Sequence, residues 1–462
     1  MGGHRPSAPG EAVPAGRLLH LRLVLAVVLL ALVGVVSTTV LVGGGSAGAS
    51  SVRAPRTPAG DQLSWLLSIT ALPISTPSIA AHFDAAFLSQ VTPAQLNAAL
   101  ATVATGRPRL LGLSELAPTS LDAVVAFGAS RFSVSLSVDP SGLIETLLFK
   151  PDDAVPTSWG GVDNEMRTLA PDVGFLAARV DPDGKCTAVH SIAPDTARPL
   201  GSMFKLFIIG ALADAVRTHK VSWNEKLTIT AGVKTGGSGT LQDVPDGTQM
   251  TVEQVAITTI SVSDNTGADL LLQLVGRAAV EAQVRKWAAR PSLDTPFLTA
   301  KELFALHYDD FPKLAQHYLS LKPAQRAAYL ASTVDALPAS AEVPSSSPRD
   351  IGTIEWFASP DDLCNAFSGL ARLQSQPGLS PLNTVFSTNN GGIGLNATTW
   401  PRVWFKGGSE PGVLTLGYLA RDRSGATYVV VALTENPAVP LSQASTLQLL
   451  EVVHGAFGLL HR

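Results

Sequence analysis

Charge is scarce in this chain. Only 15% of the 462 residues are Asp, Glu, Lys or Arg, the 33 basic residues are offset by 37 acidic ones, and no long basic run occurs. A nucleic-acid partner, which requires a concentrated positive face, is not expected. Cysteine is scarcer still. Only Cys186 and Cys364 are present, neither beside an N-terminal apolar block, so a lipoprotein held through an N-terminal cysteine is excluded. The two can form a disulfide if the chain is exported, or lie as separate buried thiols that act as small hydrophobes; their spacing leaves both open. No metal and no cofactor are expected.

What the chain does have is one uncharged apolar block, Leu23 to Val42. It follows Arg5, Arg17 and Arg22 and precedes Ala47-Gly48-Ala49, a small-residue stretch of the kind cut by signal peptidase. The block is long enough to cross a bilayer, so a cleaved signal peptide and an uncleaved anchor both fit. The expected location is extracytoplasmic, either secreted or anchored to the cell membrane through residues 23–42.

A length of 462 residues exceeds what one hydrophobic core usually organises. Residues 1–60 read as the targeting segment plus a linker, because Ser50 to Gly60 is Arg, Pro, Ala and Gly without an apolar period. Residues 61–152 read as a small α+β domain. Thr92 before Pro93 marks a helix start, Leu96, Leu100 and Val103 keep helical spacing, and Phe132 to Val138 alternates before a turn at Asp139-Pro140-Ser141-Gly142. Residues 173–462 form the third region. Strand patterns at Phe175 to Val180 and Cys186 to Ile192 open it, helical patterns fill it to about Leu373, and strands return at Arg402 to Lys406, Val413 to Arg421 and Ala426 to Leu433. Leu441 to Phe457 closes it as a helix. Strands at both ends of a helical middle imply one sheet assembled from the two ends.

Three short stretches of this region carry chemistry. In Pro199-Leu200-Gly201-Ser202-Met203-Phe204-Lys205, a serine stands at the start of a helix with a lysine three residues on, along the same face. A serine needs a base for its proton and donors for the oxyanion formed on attack. Lys205 sits among Met203, Phe204, Leu206, Phe207 and Ile208, where an idle ammonium would be costly and a depressed pKa would make it that base. Ser263-Asp264-Asn265 lies between two helical runs. There Ser263 can pass a proton to a leaving group, Asn265 can reach the carbonyl of a substrate amide, and Asp264 can fix the loop. Lys406-Gly407-Gly408-Ser409 ends a strand, its glycines allowing a substrate backbone close approach. Lys406 would hold an anionic substrate group and the Ser409 N–H would complete the oxyanion hole. Standing alone, each stretch is equally well an ordinary capped helix, a capping loop or a strand end.

Together and in this order they resemble the Ser-x-x-Lys, Ser-Asp-Asn and Lys-Thr-Gly motifs of class A β-lactamases and penicillin-binding proteins. The literal Lys234-Thr235-Gly236 precedes Ser263, the wrong order for the third motif, whereas Gly407 replaces the threonine at the right place. The resemblance implies an antiparallel sheet flanked by helices plus an all-helical subdomain, meeting at the serine. Pro199 to Phe207, Ile260 to Asp269, Pro296 to Phe304, Ile354 to Ser359 and Phe405 to Leu414 look more particularly like actinobacterial esterase-like serine hydrolases related to a clavulanate-cluster protein. Those carry an extra N-terminal domain with a steroid-isomerase or polyketide-cyclase-like cone.

One part of that pattern is missing. No Glu-x-x-Leu-Asn string follows Asn265, and Glu302, Asp309, Asp310 and Asp335 read as solvated helix or loop residues. Three expectations remain: a hydrolase acting through an acyl-enzyme on a β-lactam or ester, a cell-wall D,D-peptidase, or a non-catalytic binder of a small ligand.

Overall fold

The computed structural model describes residues 53–103, 106–127, 130–151, 155–338, 347–441 and 443–461. It falls into two compact units divided after Asp152. The apolar block Leu23 to Val42 and the Ala47-Gly48-Ala49 site lie outside the described residues. Among those described, no helix is long and apolar enough to cross a membrane.

The first unit places four helices, Pro58–Ser68, Thr76–Ala80, Ala85–Gln90 and Pro93–Val103, ahead of four strands. These are β1 (Pro108–Ala117), β2 (Ser120–Phe127), β3 (Ser130–Val138) and β4 (Ile144–Pro151), an antiparallel meander in sequence order. Along β3, Phe132, Val134, Leu136 and Val138 point into the core while the serines between them face outward. This is the period of two that a sheet covered on one face demands. Leu63, Phe83, Phe87 and Leu96 from the helices close that face.

The second unit is built on a five-stranded antiparallel sheet. Its strands are β5 (Asp172–Val180), β6 (Cys186–Ile192), β7 (Arg402–Glu410), β8 (Val413–Arg421) and β9 (Thr427–Glu435), in the spatial order β7-β8-β9-β5-β6. The middle strands are buried almost end to end, because both faces of the sheet are covered. Helices Trp159–Leu169 and Gln443–Leu460 pack on one face. Lys205–Arg217 and Pro360–Gln374 pack on the other, and with Val252–Ser261, Asn265–Val275, Arg277–Trp287 and Ala300–Tyr308 they form a large helical body. Cys186 on β6 and Cys364 on Pro360–Gln374 are joined in a disulfide across that face.

A two-residue bridge joins distant parts of this unit. Phe357 and Ala358 pair with Pro199 and Arg198, and the Leu200 N–H donates to Trp356 O at 2.9 Å. The segment leading into Ser202 is thereby held to the stretch around Glu355 and Trp356. Trp356 in turn stacks on Phe204 at 3.6 Å between ring centroids.

Candidate active site

Ser202 lies in a single 3-10 turn, Gly201–Phe204, that runs directly into the helix Lys205–Arg217. The first N–H groups of such a turn have no partner within it and face the space beyond the helix start. Ser202 is therefore one turn ahead of the α-helix proper, with Lys205 as the first α-helical residue. Burial among Phe204, Leu206 and Phe207 leaves Lys205 no access to solvent.

Lys205 Nζ donates to Ser202 Oγ at 2.8 Å, Asn265 Oδ1 at 2.7 Å, Ser263 O at 2.9 Å and Ser263 Oγ at 3.3 Å. Burial lowers its pKa to about 7, against the opposing pull of Asp269, Asp264 and Glu355. Near neutrality a large fraction of Lys205 is thus a free amine within hydrogen-bond reach of the serine hydroxyl, the geometry required of a general base.

Ser263 has φ of +58°, a left-handed turn that brings its hydroxyl between two lysines. Lys406 Nζ reaches it at 2.9 Å and also donates to Gly407 O. Burial, reinforced by the nearby Lys205, depresses Lys406 well below an ordinary lysine. Two amines around one half-buried hydroxyl oppose each other's charging, and the hydroxyl can relay a proton between them.

Asp264 holds the loop, as expected of it. One oxygen accepts from Thr240 and Leu241 N–H at 2.6 and 2.8 Å, and the other caps the helix Asn265–Val275 through Gly267 N–H at 2.8 Å. Asn265 also orients the base: its amide oxygen accepts from Lys205 at 2.7 Å and its amide nitrogen donates one hydrogen to Gly236 O at 2.8 Å, while the residue lines the cavity beside Ser202. The Lys234-Thr235-Gly236 segment thus lies behind the site, with Thr235 donating to Asp269 at 2.9 Å.

The end of β7 closes the site from the other side. A Cβ at Gly408 would fall 2.3 Å from Leu200 O and 2.6 Å from Ser202 N, and one at Gly201 would fall 2.9 Å from Ser409 N. Gly201 is also left-handed, at φ +49°. The two backbones therefore run in close contact, Ser202 N beside Gly408 and Ser409 N beside Gly201, the two donors the sequence offers for an oxyanion hole. Thr415 Oγ1 ties the two stretches of chain further by donating to Leu200 O at 2.8 Å and Gly408 O at 3.2 Å. Gly408→Ala is expected to slow acylation of Ser202 by about 10²-fold, the scale of losing one oxyanion donor. Timed labelling with a fluorophosphonate measures it, and an unchanged rate would show that this close approach is not needed.

Ser202, Asn265 and Ser409 line a cavity of about 210 Å³ whose apolar wall is Phe204, Leu303, Phe304, Tyr308 and Trp356. Among the described residues no group of three or more His, Cys, Asp and Glu could hold a metal ion.

Three acids around the site received no role from the sequence. Asp269 is buried and accepts from Ala300 and Lys301 N–H at 2.7 and 2.9 Å besides Thr235, while burial pushes its pKa up to about 6. It locks the helix Ala300–Tyr308 to the loop behind Asn265. Its signal was a lone carboxylate in an otherwise apolar helical run. Glu355 and Glu410 line the cavity itself. Glu302, read as solvated, is fully buried: it caps its own helix by accepting from Thr299 N–H at 2.7 Å and pairs with Arg277 at 2.7 Å. A buried acid with a dedicated guanidinium is structural, which removes it from the chemistry.

Comparison with known proteins agrees with this geometry. Residues 172–376 match the model of a family described as the β-lactamase enzyme family, and residues 54–144 match that of the N-terminal part of the ORF 12 gene product. A stretch of 100 residues is 30% identical to the β-lactamase regulatory protein BlaB of Streptomyces cacaoi, covering 21% of this chain and 32% of that protein. Another of 80 residues is 34% identical to β-lactamase VEB-1 of Pseudomonas aeruginosa, covering 17% and 27%. The matches thus span about a third or less of these relatives. A β-lactamase structure from Sphaerobacter thermophilus aligns over 65% of this chain and 96% of its own, with TM-score 0.46 and 22% identity. Ser202, Lys205, Ser263 and Asn265 all lie within residues 172–376, the stretch that matches the β-lactamase enzyme family.

Proposed function

We propose that the chain is an exported serine hydrolase that takes the acyl group of an ester or β-lactam onto Ser202. The observation that carries this reading is the 2.8 Å hydrogen bond between Ser202 Oγ and a lysine whose amine is free near neutral pH. Lys205 removes the hydroxyl proton as Ser202 attacks the carbonyl carbon. The Ser202 and Ser409 N–H groups receive the oxyanion, and Ser263 returns a proton to the leaving group. Lys406 awaits an anionic group of the substrate, whose arrival would favour its charged form. Export is supported by the Arg-flanked apolar block and the small-residue site after it.

The second half of the cycle has no obvious machinery. With Glu302 committed to Arg277, no carboxylate is assigned to activate water against the acyl-enzyme. A long-lived adduct is expected. Intact-mass analysis after mixing with a cephalosporin should show a one-to-one adduct that decays slowly; turnover without any adduct, or no reaction with cephalosporins or esters at all, would overturn the reading. Release of D-alanine from a D-Ala-D-Ala peptide would instead assign a cell-wall peptidase, and no reaction with any of the three leaves a non-catalytic binder.

A further inference from the structure

Two acids in the Ser202 cavity are used by none of this chemistry. Glu355 is only 5% exposed and arrives on the segment pinned beside Leu200. Glu410 follows Ser409 at the end of β7. The two side chains share a hydrogen bond, which between carboxyl groups requires one proton. Burial, and then the charge of Glu410, push Glu355 well above an ordinary glutamate, while burial raises Glu410 to about 7. The pair thus holds one proton and one negative charge between its two members. Oxygen Oε1 of Glu410 is shielded from solvent and has no hydrogen-bond partner.

No cation offsets that charge. The titratable and charged groups facing the pair are His307 and Tyr308 from the helix Ala300–Tyr308, Asp294, Arg349, and Lys205 beyond Ser202. His307 Nδ1 lies 3.7 Å from Glu410 Oε2, but Nε2 donates to Ile354 O at 2.9 Å and burial holds the ring down at about 4, so a neutral ring presents its lone pair. Tyr308, pushed up to about 12 by burial, stays protonated. Arg349 is turned to His307 O at 2.8 Å and lies over the Tyr308 and Phe311 rings. Among the described residues neither carboxyl has a lysine or arginine within ion-pair distance.

The cavity wall beside the pair is aromatic, with Phe204 and Trp356 stacked and Phe304 and Tyr308 completing it. Ring faces attract an organic cation through their quadrupole, and an unpartnered carboxylate oxygen accepts its N–H. The two features in one small cavity describe a receptor for an ammonium group.

We propose that Glu355 and Glu410 form a subsite for an organic ammonium carried by the substrate, beside Ser202. The substrate is then an amine-bearing acyl compound. This deepens the hydrolase reading and rests on it for the substrate's reacting bond.

Benzylammonium and benzyl alcohol test the subsite, since they share size and shape and differ in charge. Calorimetry on the whole chain near pH 7 should find benzylammonium bound at least about tenfold more tightly, the scale of one charge-assisted hydrogen bond. It should also protect Ser202 from fluorophosphonate, and its advantage should fall to parity in E410Q and shrink in E355Q. Equal affinity of the two probes for the unaltered chain would overturn the proposal, and that comparison needs no variant to fold. An advantage that persists undiminished in both variants would overturn it too. Assaying hydrolysis by the unaltered chain beside its amine preference separates the two ideas. Amine preference without any hydrolysis supports the subsite and sinks the hydrolase reading, whereas hydrolysis without amine preference does the reverse.

Discussion

Ser202→Ala is expected to eliminate the covalent adduct and lower turnover by at least about 10³-fold, since the residual rate then comes from binding and the oxyanion hole alone. Geometry singles this serine out. Among the hydroxyls bonded to Lys205, Ser202 Oγ is the nearer at 2.8 Å, against 3.3 Å for Ser263 Oγ, and its own N–H lies against the end of β7 where Gly408 admits it. Ser263 Oγ is held between two amines instead, which suits a relay. Mass mapping of the labelled peptide decides between them. An adduct on Ser263, or one that survives S202A, would mean that the nucleophile has been misassigned.

Lys205→Met is expected to cost about 10² to 10⁴ in acylation rate, the range of a positioned general base. The pH dependence is the sharper readout. Burial lowers the lysine's pKa to about 7, so the free amine accumulates as pH rises through that value and acylation should climb with it and then level off. That inflection should vanish in K205M; its persistence would assign it to another group. Stability carries a linked signature. The depressed pKa means that charging Lys205 penalises the folded state fully below about 7, a penalty relieved as pH rises toward the ordinary lysine value. The melting temperature of K205M relative to the parent should therefore fall as pH rises from about 7, a trend that mere loss of packing would not produce.

The parts of this site that could be read from the chain are those set by local periodicity. Three residues along one helical face place Lys205 under Ser202, an Asp at a helix start caps it, and glycines at a strand end mark a close approach. Strands β3, β5 and β6 declared themselves through alternation or through a turn between apolar runs. Strands β1 and β2 did not, because Leu110-Leu111-Gly112-Leu113 and Ala123-Val124-Val125-Ala126 lack a clean alternation and their pairing shifts register twice. The acids around the site were hidden for a different reason. Glu355 meets Glu410 only because a two-residue bridge to Arg198–Pro199 carries its segment to the nucleophile turn. No spacing in the chain encodes that meeting, and neither residue has a local pattern to distinguish it from a surface acid. Asn265 illustrates the same limit, its type and position being legible while its partner Gly236 was not.

The Cys186–Cys364 bond closes a loop of 178 residues. Ser202, Lys205, Ser263, Asn265 and Glu355 are all inside it; Lys406, Ser409 and Glu410 are outside, on a strand held to the rest by backbone pairing and packing. A protease that cuts the backbone once anywhere between the two cysteines leaves the domain a single covalent body, with the nucleophile and its base still tethered to each other. A cut between Cys364 and β7 severs the oxyanion strand from the serine it serves. The cross-link thus divides the active site into an insured half and an uninsured one.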